Sequence, residues 1–276
     1  MGNARNCTGI VNPEVGDLAG LSSAFSGRAS GLLKTPSTSL QTQPISVTTL
    51  GESTVKIVPK KFKAHSLTGR INPQLMWLAF KAVKKNRGAA GLDKVSIKMF
   101  EKNLQQNLDA LMRELKSRTY KPIPLKRVYI PKGGGKLRPL GIPAVRCRIA
   151  QEVVRRLIEP IFEQQFHDNS YGFRPGRNCH MAVKKVLEYT NDGHKFVLDA
   201  DIKAFFDNIS HKLIMQCVAA QIADGNILQL IEKFLRSGVM DDGVFKPTTK
   251  GTPQGGVISP LLANIVLNYL DWQLHE

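Results

Sequence analysis

An α+β fold, an antiparallel sheet flanked by helices, is predicted by three observations. Apolar residues recur at three- and four-residue steps in several separate stretches, as helices with one buried face require. Two short strand-like runs flank Gly133-Gly-Gly135, the composition of a hairpin turn. A third apolar run, Phe196-Val-Leu198, is short enough for a strand buried on both faces.

The elements follow in chain order. Residues 1–58 are rich in Ser, Thr, Gly, Pro and Gln, and Phe25 is their only aromatic. They carry four Lys/Arg against three Asp/Glu. Such a stretch buries too little apolar area to offset its chain entropy, so a disordered leader is expected over 1–62. Asn72-Pro73 then supplies a helix cap with proline at the first helical position. Leu75, Leu78, Ala79, Ala82 and Val83 share one face of that helix, and Gly88 can end it. Gly88-Ala-Ala-Gly-Leu-Asp93 reads as a turn. A second helix carries Phe100, Leu104, Leu108, Leu111 and Leu115. Strands are expected at Val128–Lys132 and Leu137–Ile142, and a helix from about Arg148 to Phe166. A Gly/Pro loop over Ser170–Arg177 precedes a helix from about Cys179 to Tyr189, and the Phe196 strand comes next. Ser210 caps a helix from His211 to about Ala223, another spans about Ile227 to Arg236, and the loop at Gly251 opens a last helix from about Pro260.

Composition narrows the function. The chain has 276 residues, 42% hydrophobic, enough for a sizeable core. No stretch approaches the ~18 apolar residues of a membrane span, and no secretory apolar core is present. The four cysteines are widely spaced, with no Cys-x-x-Cys, so reduced thiols in a bacterial cytoplasm are expected rather than a zinc ribbon. The net charge of +17 calls for a polyanionic partner, because neutralising phosphates releases counterions. That charge is clustered: residues 116–138 contain eight Lys/Arg and no acid, with Tyr120 and Tyr129 interleaved. Lys126 and Arg127 within this run are candidate nucleic-acid contacts.

Four segments carry residue types suited to nucleotide chemistry. Asp199 and Asp201 alternate onto one face at a strand end, where carboxylates can bind a divalent metal together with substrate phosphates. Alone, Asp-x-Asp fits a turn or a helix cap equally well, and Asp207-Asn208 reads as a turn-forming pair. Phe205 and Phe206 are either core or an aromatic that excludes a 2′-hydroxyl. The basic hairpin from Lys132 to Arg138 lets backbone approach phosphates, yet lacks the Gly-Lys-Ser/Thr ending of a Walker motif. Arg174-Pro-Gly-Arg177, beside Tyr171 and Phe173, fits either contact with single-stranded nucleic acid or a structural turn. Gln254, in Gly251-Thr-Pro-Gln-Gly-Gly256, offers donor and acceptor on a loop that glycines open to a base pair, or that simply caps a helix.

These segments, in this order, resemble the core motifs of a group II intron-encoded reverse transcriptase of the maturase type. Tyr129-Ile-Pro-Lys-Gly-Gly-Gly-Lys-Leu-Arg-Pro-Leu-Gly-Ile-Pro143 resembles its fingers motif, and Ser170-Tyr-Gly-Phe-Arg-Pro-Gly-Arg-Asn-Cys-His180 the motif that follows. Asp201-Ile-Lys-Ala-Phe-Phe-Asp-Asn-Ile209 resembles the palm motif with the first metal-binding aspartate, and Gly251–Pro260 the motif lining the nucleotide pocket. The resemblance covers roughly residues 65–276. It implies an N-terminal extension over 63–125, then fingers and an incomplete palm of a right-hand polymerase over 126–276. Asp201 is then the catalytic metal ligand, joined by the Ile202 carbonyl, with Mg²⁺ as cofactor. Lys132 and Arg138 contact the dNTP triphosphate, Phe206 discriminates the sugar and Gln254 touches the nucleotide or the primer–template backbone. Lys126, Arg127, Arg174 and Arg177 bind nucleic acid. The implied partners are a group II intron RNA, an RNA template, a DNA primer and dNTP, with no membrane.

One departure matters. The family's Tyr-Ala-Asp-Asp turn does not occur, and Asp241-Asp242 lies upstream of the Gln254 loop, out of order for that motif. The sequence therefore predicts a chain inactive as a polymerase on its own: a truncated copy, or one part of a split protein with a separately encoded C-terminal half. A non-catalytic intron-RNA-binding splicing factor, or a reverse transcriptase of another bacterial retroelement lineage, are the alternatives.

Overall fold

The computed structural model describes residues 63–132, 135–202, 204–253 and 255–275; the leader expected over 1–62 lies outside them, as do the side chains of Lys132 and Lys136. Helix α1 (Pro73–Lys85) starts where the sequence places it, with the Asn72 side chain accepting from the Leu75 amide. Its buried face is Met76, Ala79, Phe80 and Val83, one residue round from the predicted stripe. Leu78 is exposed and Leu75 only half-buried, because Met76 and Phe80 are the larger apolar groups and Phe80 stacks on Phe100. The predicted second helix is two. Helix α2 (Ile97–Lys102) and helix α3 (Leu104–Lys116) meet at Asn103, whose backbone is not helical, and the Asn107 side chain closes the joint by donating to the Phe100 carbonyl.

Helix α4 (Val145–Glu163) is the axis of the molecule. Eleven of its residues are buried, on several sides rather than one stripe, as a helix surrounded by others requires. Helix α5 (Cys179–Asn191) has no buried residue at all, and Val183, Val186 and Leu187 face outward. Helix α6 (Phe205–Asn208) is a single turn, followed by α7 (His211–Ala219), α8 (Gly225–Leu235) and α9 (Ser259–His275). Ser210 precedes α7 without a side-chain capping bond. Helix α7 ends before the predicted Ala223 because the chain leaves it to pair with Ala64: the Ala64 amide donates to Gln221 O, and the Ala223 amide to Ala64 O. Asp224 then caps α8 and also receives the Thr68 amide and hydroxyl, fastening the first described residues to the far side of the fold.

The sheet has four strands in the order β2-β1-β3-β4 among the described residues. Strand β1 (Leu125–Lys132) pairs antiparallel with β2 (Lys136–Ile142), with Ile130 opposite Arg138, as the glycine turn predicts. Strands β3 (Val239–Asp241) and β4 (Val244–Lys246) form a second hairpin. Its turn residues Asp242 and Gly243 both have positive φ, as a type I′ turn demands. The two hairpins join through a parallel pairing of β1 with β3, so the sheet is antiparallel within hairpins and parallel between them.

The Phe196 segment departs from expectation. It is extended but unpaired among the described residues, and Phe196 is 97% exposed, with Val197 and Leu198 at 73%. An apolar run of strand length predicts burial only if a partner strand is present, and the described sheet does not reach it.

Candidate functional site

Of the residues predicted to handle nucleotide, Phe206 lies against the loop from Gly251 to Ile258. The Gly251 amide donates to Ile209 O at 2.7 Å and the Thr252 amide to Phe206 O at 2.6 Å. These bonds lay the loop across α6. Gly251 has φ +81°, and a Cβ there would sit 2.6 Å from Asp207 O and 2.7 Å from Phe206 O. Gly255, at φ +107°, approaches β2 so closely that a Cβ would lie 2.4 Å from Gly141 O. Only glycine satisfies both the backbone angle and the approach. From the core side, the Gln151 side chain on α4 accepts from the Val257 amide at 2.8 Å, and Ser259 Oγ donates to Pro253 O at 3.0 Å. The loop thus brings Phe206, the end of β2 and α4 together. Gln254 lies outside the described residues.

Asp201 and Asp199 are exposed on the unpaired segment, and Ile202 is half-buried. Ala204 takes a left-handed conformation that turns the chain into α6, where Phe206 is half-buried and Phe205 packs edge-on against it. Asp207 and Asn208 close that single turn rather than forming a free turn of their own, and the Asn208 side chain accepts from Lys250 Nζ. Among the described residues no group of three or more Asp, Glu, His or Cys side chains is placed to hold a metal ion. The described donor set therefore does not by itself fit a divalent cation.

On the sheet, Lys126 is exposed and Arg127 half-buried on β1, and Arg138 is exposed on β2. Lys132 ends β1. Tyr129, interleaved among these cations, is engaged: its hydroxyl donates to both Asp241 oxygens at 3.0 and 3.2 Å, and Lys246 Nζ donates to the same carboxylate at 2.7 Å. The Lys246 bond, helped by Tyr129, holds the Asp241 carboxyl below the usual range, while that same contact raises the Tyr129 hydroxyl. Asp241 is thus a brace between hairpins, a role its sequence position beside Asp242 does not reveal.

Arg174, expected to contact nucleic acid, has internal partners in the structure. Arg174 is buried: Nε donates to Glu163 Oε1 at 3.0 Å, and Nη1 to His167 O at 2.7 Å and Ser170 O at 2.8 Å, with the guanidinium over the Phe166 ring. Those groups consume the side chain, which holds the Gly/Pro loop to the end of α4. Helix α9 holds the same loop from the other side, through Asn264 Nδ2 to Gly172 O and Asn268 Oδ1 from the His167 amide. Arg177 is nearer the surface, donating to Asp168 and lying over Tyr171.

Sequence reasoning missed Gln151 and Asp241, and it does not name a partner for His211. That histidine is buried, with Nε2 2.8 Å from Gly251 O. No local signal marks such a residue, because its partner lies 40 positions away.

Residues 130–276 match the family profile described as Reverse transcriptase (RNA-dependent DNA polymerase). Protein YkfC of Escherichia coli (strain K12) is 44% identical over 215 residues, covering 75% of this chain and 56% of that protein. Group II intron-encoded protein LtrA of Lactococcus lactis subsp. cremoris is 38% identical over 205 residues, covering 73% of this chain and 33% of that protein. The chain therefore spans about half the length of the first and a third of the second. A chain of the solved "Partial Cas6-RT-Cas1--Cas2 complex" matches with a TM-score of 0.50 at 21% identity, over 76% of this chain and 35% of that one, a likeness of fold.

Proposed function

Because the chain belongs to the reverse transcriptase (RNA-dependent DNA polymerase) family, we propose that it is a group II intron-encoded protein that binds intron RNA and a template–primer duplex and serves RNA-templated DNA synthesis and intron splicing. The observation that carries this reading is the Gly251–Ile258 loop, laid against Phe206 and the end of the basic β1–β2 hairpin. Residues 63–125 are assigned to an N-terminal extension and 126–276 to fingers and palm.

In this reading the reaction is attack of a primer 3′-hydroxyl on the dNTP α-phosphate, forming a phosphodiester and releasing pyrophosphate. Lys132 and Arg138 neutralise the triphosphate. Phe206 stands against the sugar, where a 2′-hydroxyl would collide, and Gln254 contacts the incoming nucleotide. Lys126, Arg127 and Arg177 hold the nucleic-acid backbone. Asp201, with the Ile202 carbonyl, is proposed as a ligand of Mg²⁺; that role needs further oxygen donors than the described residues gather. A second reading is that the chain binds intron RNA and assists splicing without polymerising.

Fluorescence anisotropy with an RNA-template/DNA-primer duplex and with a group II intron RNA, across a KCl series, tests the proposal. Binding should weaken log-linearly with salt, and Lys126→Ala/Arg127→Ala should lower the slope by about 2. Salt-insensitive or absent binding rejects both readings. Tight RNA binding with no nucleotide incorporation in primer extension selects the second.

A further inference from the structure

The nucleotide loop is gripped by a side chain that the reaction does not otherwise use. His211 opens α7, directly after the antiparallel bridge between Ser210 and Lys250. Its imidazole is buried, and Nε2 lies 2.8 Å from the Gly251 carbonyl oxygen. A carbonyl only accepts, so Nε2 carries the proton. The amides of Gly251 and Thr252 are held by Ile209 O and Phe206 O. The Gly251 carbonyl shares its peptide plane with the Thr252 amide, so His211 holds the second polar group of a plane whose other end is tied to Phe206 O. The far end of the loop is held by Gln151 Oε1 at the Val257 amide. Gln254 lies between these two anchors.

We propose that His211 is a positioning residue: its Nε2–H fixes the Gly251 carbonyl so that residues 251–253 keep the geometry an incoming nucleotide requires. The nucleotide half of this inference rests on the polymerase reading; the grip on the loop does not. A histidine that merely fills the core would affect the whole fold evenly. A positioning histidine affects residues 251–253 first, and a substitute that donates from the same place restores them. Glutamine is that substitute, since its amide nitrogen occupies roughly the position of imidazole Nε2, whereas leucine keeps bulk and removes the donor.

Hydrogen–deuterium exchange on the full chain separates the two roles. His211→Leu should speed exchange at Gly251 and Thr252 about tenfold, the scale of one lost hydrogen bond, with α4 and α8 unchanged. His211→Gln should restore protection. Wild-type exchange in His211→Leu, or an equal rise throughout α4 and α8, overturns the proposal. The second arm measures a fluorescent dNTP binding to the chain on an RNA-template/DNA-primer duplex. The expected result is about tenfold weaker binding in His211→Leu and near wild-type binding in His211→Gln. Unchanged dNTP affinity with raised loop exchange overturns the nucleotide half. A wild-type chain that binds duplex but no dNTP overturns the polymerase reading, and the exchange arm alone then decides the grip.

Discussion

Replacing Arg174 with alanine separates a structural arginine from a nucleic-acid contact. The guanidinium of Arg174 is almost wholly buried, with its side chain 4% exposed. Truncation leaves the Ser170 carbonyl without its donor, leaves the His167 carbonyl with the Ser170 amide alone, and breaks the pair with Glu163. The orphaned Ser170 carbonyl costs about 1–1.5 kcal/mol, given that water can reach part of this loop. Glu163 is partly exposed and can hydrate, so its loss adds about 1 kcal/mol rather than the larger figure for a fully buried charge. The total is about 2–3 kcal/mol, or a fall in Tm of about 7 °C for a fold of this size. Arg174→Lys keeps the charge but cannot fork between three acceptors, and should recover less than half. Arg177→Ala is the contrast: its ion-pair partner Asp168 is fully at the surface, so stability should change by less than about 1 kcal/mol, while RNA affinity falls. Urea denaturation gives the first quantity and RNA anisotropy the second. An Arg174→Ala chain within about 0.5 kcal/mol of wild type that nonetheless loses RNA affinity would refute this account.

Other outcomes follow from single contacts. Gly251→Ala places a Cβ against Asp207 O and Phe206 O at positive φ, and should cost about 2–4 kcal/mol in urea denaturation. Asp224→Ala removes the α8 cap and the acceptor for Thr68, and should cost about 2–3 kcal/mol, with Asp224→Asn costing less. Burial holds His211 below its ordinary pKa of 6.5, the Gly251 bond opposing it only in part. Below pH 6.5 the unfolded chain therefore binds the proton more readily than the folded one. The His211 contribution is present above that pH and is lost on acidification, at up to about 1.4 kcal/mol per pH unit. Urea midpoints of His211→Gln should fall less steeply than wild type between pH 6.5 and 5; parallel curves would count against it.

Much of the fold was readable because its cause is local. Asn72-Pro73 starts a helix through its own side chain and ring, and the glycines at 133–135 separate two strands whose register follows from the turn. Several of the failures involve partners distant in sequence. The β1–β3 pairing joins Leu125 to Val239, and nothing in either segment names the other. Asp241-Asp242-Gly243 was read as a pair of acids, although Asp-Gly between alternating apolar residues is a hairpin signal. Phe196-Val-Leu198 has the composition of a buried strand, yet composition states only what a segment can bury, and the residue that would cover it belongs to another element.

The candidate site shows the same division at finer scale. Its glycines were legible as places of close approach, and the structure supplies the groups approached: α6 carbonyls for Gly251 and the β2 backbone for Gly255. Its cations were legible only as charge. Arg174 and Arg177 are the same residue type three positions apart in one loop, and one is buried while the other lies near the surface. A Gly/Pro-rich loop makes few internal backbone bonds, so its carbonyls need an outside donor, and a five-donor guanidinium is the most economical one available. Cations in such loops therefore divide by whether their loop's own carbonyls are otherwise satisfied. The Ser170 carbonyl is held by Arg174, which places Arg174 on the structural side, whereas Lys126 and Arg127 sit on a strand whose backbone is already paired, with Lys126 exposed.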